Sequence, residues 1–181
     1  MRDEKSGLVP HPSSLIPLAW LPEAPVKRVI MHWTAGGHQP SLIDRFHYHL
    51  LLDAAGKLHR GQFRIGRWPP HTRRLNTGSV AIALCGMVGA ERAPLHWGAQ
   101  PITSEQVAAL GPVAAQVLRR YGRPVTEATC LTHCEVTTAY GLAQRGKWDI
   151  SVLPGMHSCA PHSVGEQLRE QIRRHWRALK A

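Results

Sequence analysis

The chain has 181 residues, 43% hydrophobic and 19% charged, a balance that excludes disorder and gives a single domain enough apolar material for a sizeable core. A formal net charge of +10 points to polyanionic partners, either nucleic acid or an anionic cell envelope. The charge is divided among short clusters (Lys27-Arg28, Arg60 to Arg67, Arg73-Arg74, Arg119-Arg120 and Arg169 to Lys180) with no nucleic-acid-binding motif beside them. Nucleic acid is therefore not expected as a partner, and the clusters read most simply as solvated basic faces.

Residues 1–25 are Pro-rich and expected to be extended, with Trp20 and Leu21 anchoring them against a domain that spans 26–181. Arg2, Asp3, Glu4 and Lys5 are followed by no continuous apolar stretch, unlike a secretory signal peptide, and no run elsewhere is long enough to cross a bilayer. The expected setting is a reducing cytoplasm. Cys85, Cys130, Cys134 and Cys159 fit it, because they lack paired zinc-ribbon spacing and read as free thiols.

Residues 26–32 read as a strand that ends at His32, where an apolar run gives way to Thr34-Ala35-Gly36-Gly37. A short helix is expected over 41–46, then a strand over 48–53 that turns at Ala55-Gly56 into 57–61 as a hairpin. Residues 62–78, rich in Arg, Pro, Gly and Asn, suit a loop at the rim of a cleft, and the apolar run 80–84 suits a strand covered on both faces. Thr103 with Gln106 forms a capping-box pattern that opens a helix continuing to Gly122, which Pro112 should kink or split. A strand precedes His133. Ser163 with Glu166 reads as a second capping box, opening a basic helix whose Leu168, Ile172, Trp176 and Leu179 make one apolar stripe. Docking on the domain is the favoured fate of that stripe, and contact with an anionic membrane is the alternative.

Two imidazoles and a carboxylate, His32, His133 and Asp149, stand in separated segments, each where an apolar run meets turn chemistry. Three nitrogen and oxygen donors leave the fourth tetrahedral position of zinc open for water, which distinguishes a catalytic site from a closed structural one. No single helix or hairpin carries all three, so the fold must bring them together.

The words around them occur in a fixed order: Val29-Ile30-Met31-His32-Trp33-Thr34-Ala35-Gly36-Gly37, Phe46-His47-Tyr48-His49-Leu50, Leu75-Asn76-Thr77-Gly78-Ser79, Thr132-His133-Cys134-Glu135 and Lys147-Trp148-Asp149. Over residues 26–155 the chain resembles the zinc-dependent N-acetylmuramoyl-L-alanine amidases of the type 2 family, which share a fold with peptidoglycan recognition proteins and include many phage endolysins. The resemblance implies an α/β fold, a single domain with a central mixed β-sheet flanked by helices. It implies Zn2+ as the cofactor, held by His32, His133 and Asp149. It implies Lys147 as the group that stabilises the oxyanion, and Tyr48 as a phenol beside the reacting water. His71 and Asn76, on the cleft-rim loop, are candidates for contacting substrate.

One position departs from part of that family. Cytosolic recycling amidases carry a general-base Glu where Ala83 stands here, and a methyl group takes no proton. The resemblance is therefore closer to the endolysins. It implies cleavage of the bond between N-acetylmuramic acid and L-alanine in peptidoglycan or a muropeptide, by a monomer that reaches the wall through a separate pore. A recycling amidase and a non-catalytic peptidoglycan-binding module are the alternatives.

Overall fold

The computed structural model describes residues 16–179. Five strands, β1 (Arg28–Trp33), β2 (Leu50–Leu52), β3 (Leu58–Arg60), β4 (Ser79–Leu84) and β5 (Cys130–Thr132), form one sheet in the order β3-β2-β4-β1-β5. The pairs β2/β4, β4/β1 and β1/β5 are parallel and β2/β3 is antiparallel, so the expected single domain with a mixed sheet is present. Among the described residues four α-helices accompany the sheet: α1 (Leu42–His47), α2 (Ser104–Arg120), α3 (Val136–Tyr140) and α4 (Pro161–Ala178).

Side-chain size separates the two faces. From β1, Val29, Met31 and Trp33 join the large core under α2 and α4, while Ile30 packs with Leu75, Leu131 and Val136 on the opposite side. The two-residue period puts His32 on the face of Ile30. Val80, Ile82 and Leu84 of β4 likewise enter the large core, and Ala81 and Ala83 lie opposite Ile30 and His32 in the register. The run 80–84 is thus bulky toward the helices and small toward the histidine, with the methyl of Ala83 beside the His32 ring.

The hairpin is shorter than expected: Tyr48 caps α1, donating its N–H to the Asp44 carbonyl, and β2 begins only at Leu50. Helix α2 opens on the Thr103/Gln106 capping box and passes Pro112 without splitting. Proline has no N–H for the carbonyl of Ala108. Gln171 of α4 supplies the missing donor, reaching the Val107 and Ala108 carbonyls at 3.1 and 3.3 Å. Gly111 permits this approach, since a Cβ there would stand 2.8 Å from the Gln171 amide nitrogen.

Helix α4 begins two residues before the expected cap, with Ala160 at the N-cap and Pro161 in the first turn. Proline is pre-organised for that position, and its missing N–H would be unsatisfied there anyway. Ser163 is consequently inside the helix, and Glu166 turns to Arg169 and Arg173 at 3.0 and 2.6 Å. The apolar stripe docks on the domain: Leu168 and Ile172 are buried, and Trp176 and Leu179 pack against the core.

Arg169 is not part of a solvated basic face. It is fully buried, paired with Glu135 at 3.0 Å and bonded to the Cys130 carbonyl at 3.3 Å. Gly165 lets this happen, because a Cβ at that position would collide with the Glu135 carboxylate.

Of the segment expected to be extended, residues 1–15 lie outside the described residues. Leu18–Trp20 form a 3-10 turn rather than an extended stretch, and Ile16 and Leu21 are buried. Carbonyls of Leu21 and Pro22 accept from Arg120 and Tyr121 at the end of α2, which ties this segment down. Among the described residues no helix is long and apolar enough to cross a membrane. The four cysteines are free, and burial pushes the thiols of Cys85, Cys130 and Cys134 up to about 12, which makes them inert.

Candidate metal centre

His32 stands near the carboxyl end of β1, and His133 follows β5 directly, opening the 3-10 turn His133–Glu135. Both therefore sit at the carboxyl edge of parallel strands, where the crevice of an open α/β sheet lies. Asp149 comes from the loop after α3. That loop is pinned by the Cys134 N–H donating to the Asp149 carbonyl and by an edge-on contact of Trp148 with Trp33, centroids 4.6 Å apart. Ile150 next to Asp149 is in the left-handed region (φ 56°), a costly conformation for a β-branched residue that its complete burial enforces.

The three donors converge. His32 Nδ1 is 3.1 Å from His133 Nδ1 and 3.4 Å from Asp149 Oδ2, and His133 Nδ1 is 3.0 Å from the same oxygen. Tetrahedral zinc with nitrogen and oxygen donors at about 2.0–2.1 Å sets them about 3.3 Å apart, so these residues fit the ion without rearrangement. Among the described residues this is the only group of His, Cys, Asp and Glu placed to hold a metal.

Buried partners orient both rings. The Gln144 oxygen accepts from the Arg73 N–H at 2.8 Å, and its amide nitrogen donates to the carbonyls of Arg73 and Leu142. With its oxygen fixed as an acceptor 3.1 Å from His133 Nε2, Gln144 holds the His133 proton on Nε2 and leaves the Nδ1 lone pair facing the site. Ligation through Nδ1 asks the same of His32, and His71 Nδ1 lies 3.0 Å from His32 Nε2 to accept that proton. His133 is also braced from below. Glu135, held by Arg169, accepts from the Thr132 N–H at 2.9 Å and closes the turn that carries the histidine.

Gln144 was not visible in the sequence, where it is one polar residue in a turn-rich stretch. His71, expected at the rim, lines the cleft and also packs edge-on to His32, with ring centroids 5.1 Å apart. Asn76 accepts at one oxygen from the N–H groups of His71 and Thr72 and from the Thr72 hydroxyl, and so shapes the loop that carries His71. Tyr48 and Lys147 line the same cleft of about 550 Å³, together with His133, Arg73 and Arg145. The Tyr48 hydroxyl is 3.4 Å from the Trp33 carbonyl, and its ring is 5.2 Å from that of His32.

Burial pushes the His32 pKa down to about 4, with the neighbouring Asp149 opposing the shift only in part. Burial works against an ionised Asp149, but the adjoining His133 and His32 rings outweigh it and hold the carboxyl below its ordinary range. At neutral pH His32 is therefore a neutral imidazole and Asp149 a carboxylate, the forms that a metal needs. Burial, followed by the nearby Asp149 charge, raises the Tyr48 phenol, so at neutral pH it is a donor and not a base.

The same burial predicts acid sensitivity away from the metal. His49 accepts at Nδ1 from the Ala81 N–H at 3.0 Å, lies 2.8 Å from the Arg67 carbonyl at Nε2, and is pushed down to about 4 by burial. An unfolded imidazole takes its proton near pH 6.5, so the unfolded chain binds protons that the folded one refuses. This stabilising contribution is complete above about pH 6.5 and is lost as pH falls toward 4. Denaturant titrations of the metal-free protein should show stability falling by up to about 1.4 kcal/mol per pH unit for each such histidine. His49→Asn should remove roughly one proton from that slope. A profile unchanged by His49→Asn would mean that this ring is protonated in the fold.

Fold and site together define a single-domain α/β protein with a His-His-Asp group placed to hold a metal at the carboxyl edge of its sheet. Residues 22–156 match the family model described as N-acetylmuramoyl-L-alanine amidase, and the chain belongs to that family. No curated protein matches the chain in sequence. Its fold is similar to that of the Ph2119 endolysin from Thermus scotoductus MAT2119 bacteriophage Ph2119, with TM-score 0.53 and 16% identity over 84% of this chain and 88% of that one. It is also similar to the N-acetylmuramoyl-L-alanine amidase LysC from Clostridium intestinale URNW, with TM-score 0.54 and 16% identity over 82% of this chain and 86% of that one. At such identities the similarity speaks to fold, and the residues of this chain must carry the chemistry.

Proposed function

We propose that this chain is a zinc-dependent amidase that hydrolyses the bond between the lactyl group of N-acetylmuramic acid and the L-alanine of the stem peptide, and that it serves as a phage or prophage endolysin. The observation that carries the reading is the convergence of His32, His133 and Asp149 at tetrahedral spacing, with His133 lining a cleft that also holds Lys147 and Tyr48. Held by these three residues, zinc would supply a Lewis acid and lower the pKa of a water toward neutrality.

The chain's own groups do the rest. The Lys147 ammonium offsets negative charge as it develops on the scissile carbonyl oxygen. Tyr48, kept protonated by burial, donates a hydrogen bond at the same centre. Arg73 and Arg145 make the cleft mouth cationic, which suits the carboxylates of a stem peptide. Ala83, buried and level with His32 in the register, leaves no carboxylate at the place where recycling amidases carry their base, and this favours the endolysin role. That role places synthesis in the host cytoplasm and release to the wall through a separate pore.

Digestion of purified peptidoglycan tests the reaction. Mass spectrometry should find fragments with a free muramic lactyl carboxyl and a free L-alanine amine, formed only by zinc-loaded protein and abolished by chelation. Intact wall bound without cleavage would instead identify a peptidoglycan-binding module. Cleavage that resists chelation would remove zinc from the mechanism.

A further inference from the structure

The docking of α4 removes its apolar stripe from any membrane, yet another apolar face is left open. Among the described residues the exposed large apolar side chains are Leu18, Leu42, Ile43, Phe46, Phe63 and Val88. Four of the six lie together. Leu42 and Ile43 each stand about one helical turn from Phe46 on α1, the three at 68%, 70% and 43% exposure. Phe63 reaches them from the following loop, its ring centroid 5.9 Å from that of Phe46. Two bonds clamp that loop to α1: the Arg45 guanidinium donates to the Arg60 carbonyl, and the Gln62 N–H donates to the Arg45 carbonyl, each at 2.7 Å. The protrusion is thus a built surface and not a loose tip.

The exposed acid–base charge of these segments has one sign. Between His38 and Leu75 the only acids are Asp44 and Asp53, and both are buried. Asp44 is spent capping Ser41 at the start of α1, and Asp53 is paired with His59 at 2.8 Å. Arg60, Arg64 and Arg67 remain exposed beside the apolar cluster.

We propose that this face, α1 with the 60–67 loop, docks on an anionic phospholipid bilayer. A wall polymer or nucleic acid offers negative charge but no apolar phase for two phenylalanines, a leucine and an isoleucine, whereas a lipid interface offers both. A second copy of the chain would bring one arginine-rich surface against another, and like charges oppose that pairing. The face adjoins the cleft through shared elements: α1 ends in His47, and the loop continues to His71 and Arg73, all of which line it. Membrane docking therefore holds the catalytic cleft close to the bilayer surface.

Vesicle co-sedimentation of the full chain tests this, and its readout is independent of the amidase reading because no wall is present. The chain should partition to vesicles containing phosphatidylglycerol and not to pure phosphatidylcholine. Phe46→Ser with Phe63→Ser should weaken partitioning at least about tenfold, the scale expected when buried aromatic area is lost. Arg60→Gln with Arg64→Gln should weaken it by about 30-fold. Arg174→Gln with Arg177→Gln, which removes equal charge from an exposed part of α4, should have a much smaller effect. All three double variants should keep the parent's circular dichroism and its turnover of a soluble muropeptide, since none of these side chains is placed in the centre. Failure to bind the anionic vesicles, indifference to the phenylalanine changes, or an equal loss from the α4 pair would overturn the proposal. So would a phenylalanine-dependent dimer in sedimentation velocity, which would assign the face to a second copy.

Discussion

His133→Ala is expected to abolish both zinc binding and peptidoglycan hydrolysis. The substitution deletes one of three donors set about one tetrahedral edge apart, and it strips Gln144 of the ring nitrogen that its oxygen is fixed to meet. His32 and Asp149 alone leave two positions of the ion to water, which suits neither tight retention nor a defined geometry. Metal analysis of the purified parent should find about one zinc per chain, and of the variant close to none. His157→Ala, at an exposed position outside the centre, should change neither quantity. A His133→Ala protein that keeps its zinc and its rate would place the metal elsewhere.

Lys147→Ala should separate catalysis from metal binding. Lys147 lines the cleft but is not one of the grouped donors, so the variant should retain the full zinc content. Its turnover should fall by about 100-fold or more, the scale seen when one group stabilising an oxyanion is lost. KM should change less than kcat, because the ammonium acts on charge that appears only in the transition state. Tyr48→Phe should also keep its metal and lose rate, by removing a hydroxyl that burial holds protonated. Parent rates in both variants would make these side chains structural, and the oxyanion would need another donor.

The strands, the α2 cap and the order of the site segments were legible because each is a local signal. Hydrophobic period, turn residues and a capping pair act over a few positions, and His32 and His133 declare themselves by ending apolar runs. The places where reading failed depend on a partner far along the chain. Ser163 looks like a cap until Pro161, free of an N–H, takes the start of the helix from it. Pro112 looks like a break until Gln171 supplies the donor that the proline lacks.

Arg169 shows the limit most clearly. In a basic amphipathic helix it is indistinguishable from Arg173 or Arg174, yet it is buried against Glu135, 34 residues away, under the bare Cα of Gly165. Gln144 and His71 are alike in this respect. Their part in orienting His133 and His32 arises only when separate loops meet in the folded chain. Residue type and local pattern determined which donors exist and which strand ends present them. Only tertiary packing decided which nitrogen of each ring faces the other donors, which arginine is structural and which apolar face stays open, because burial and hydrogen-bond partners are properties of contacts that no local stretch of chain contains.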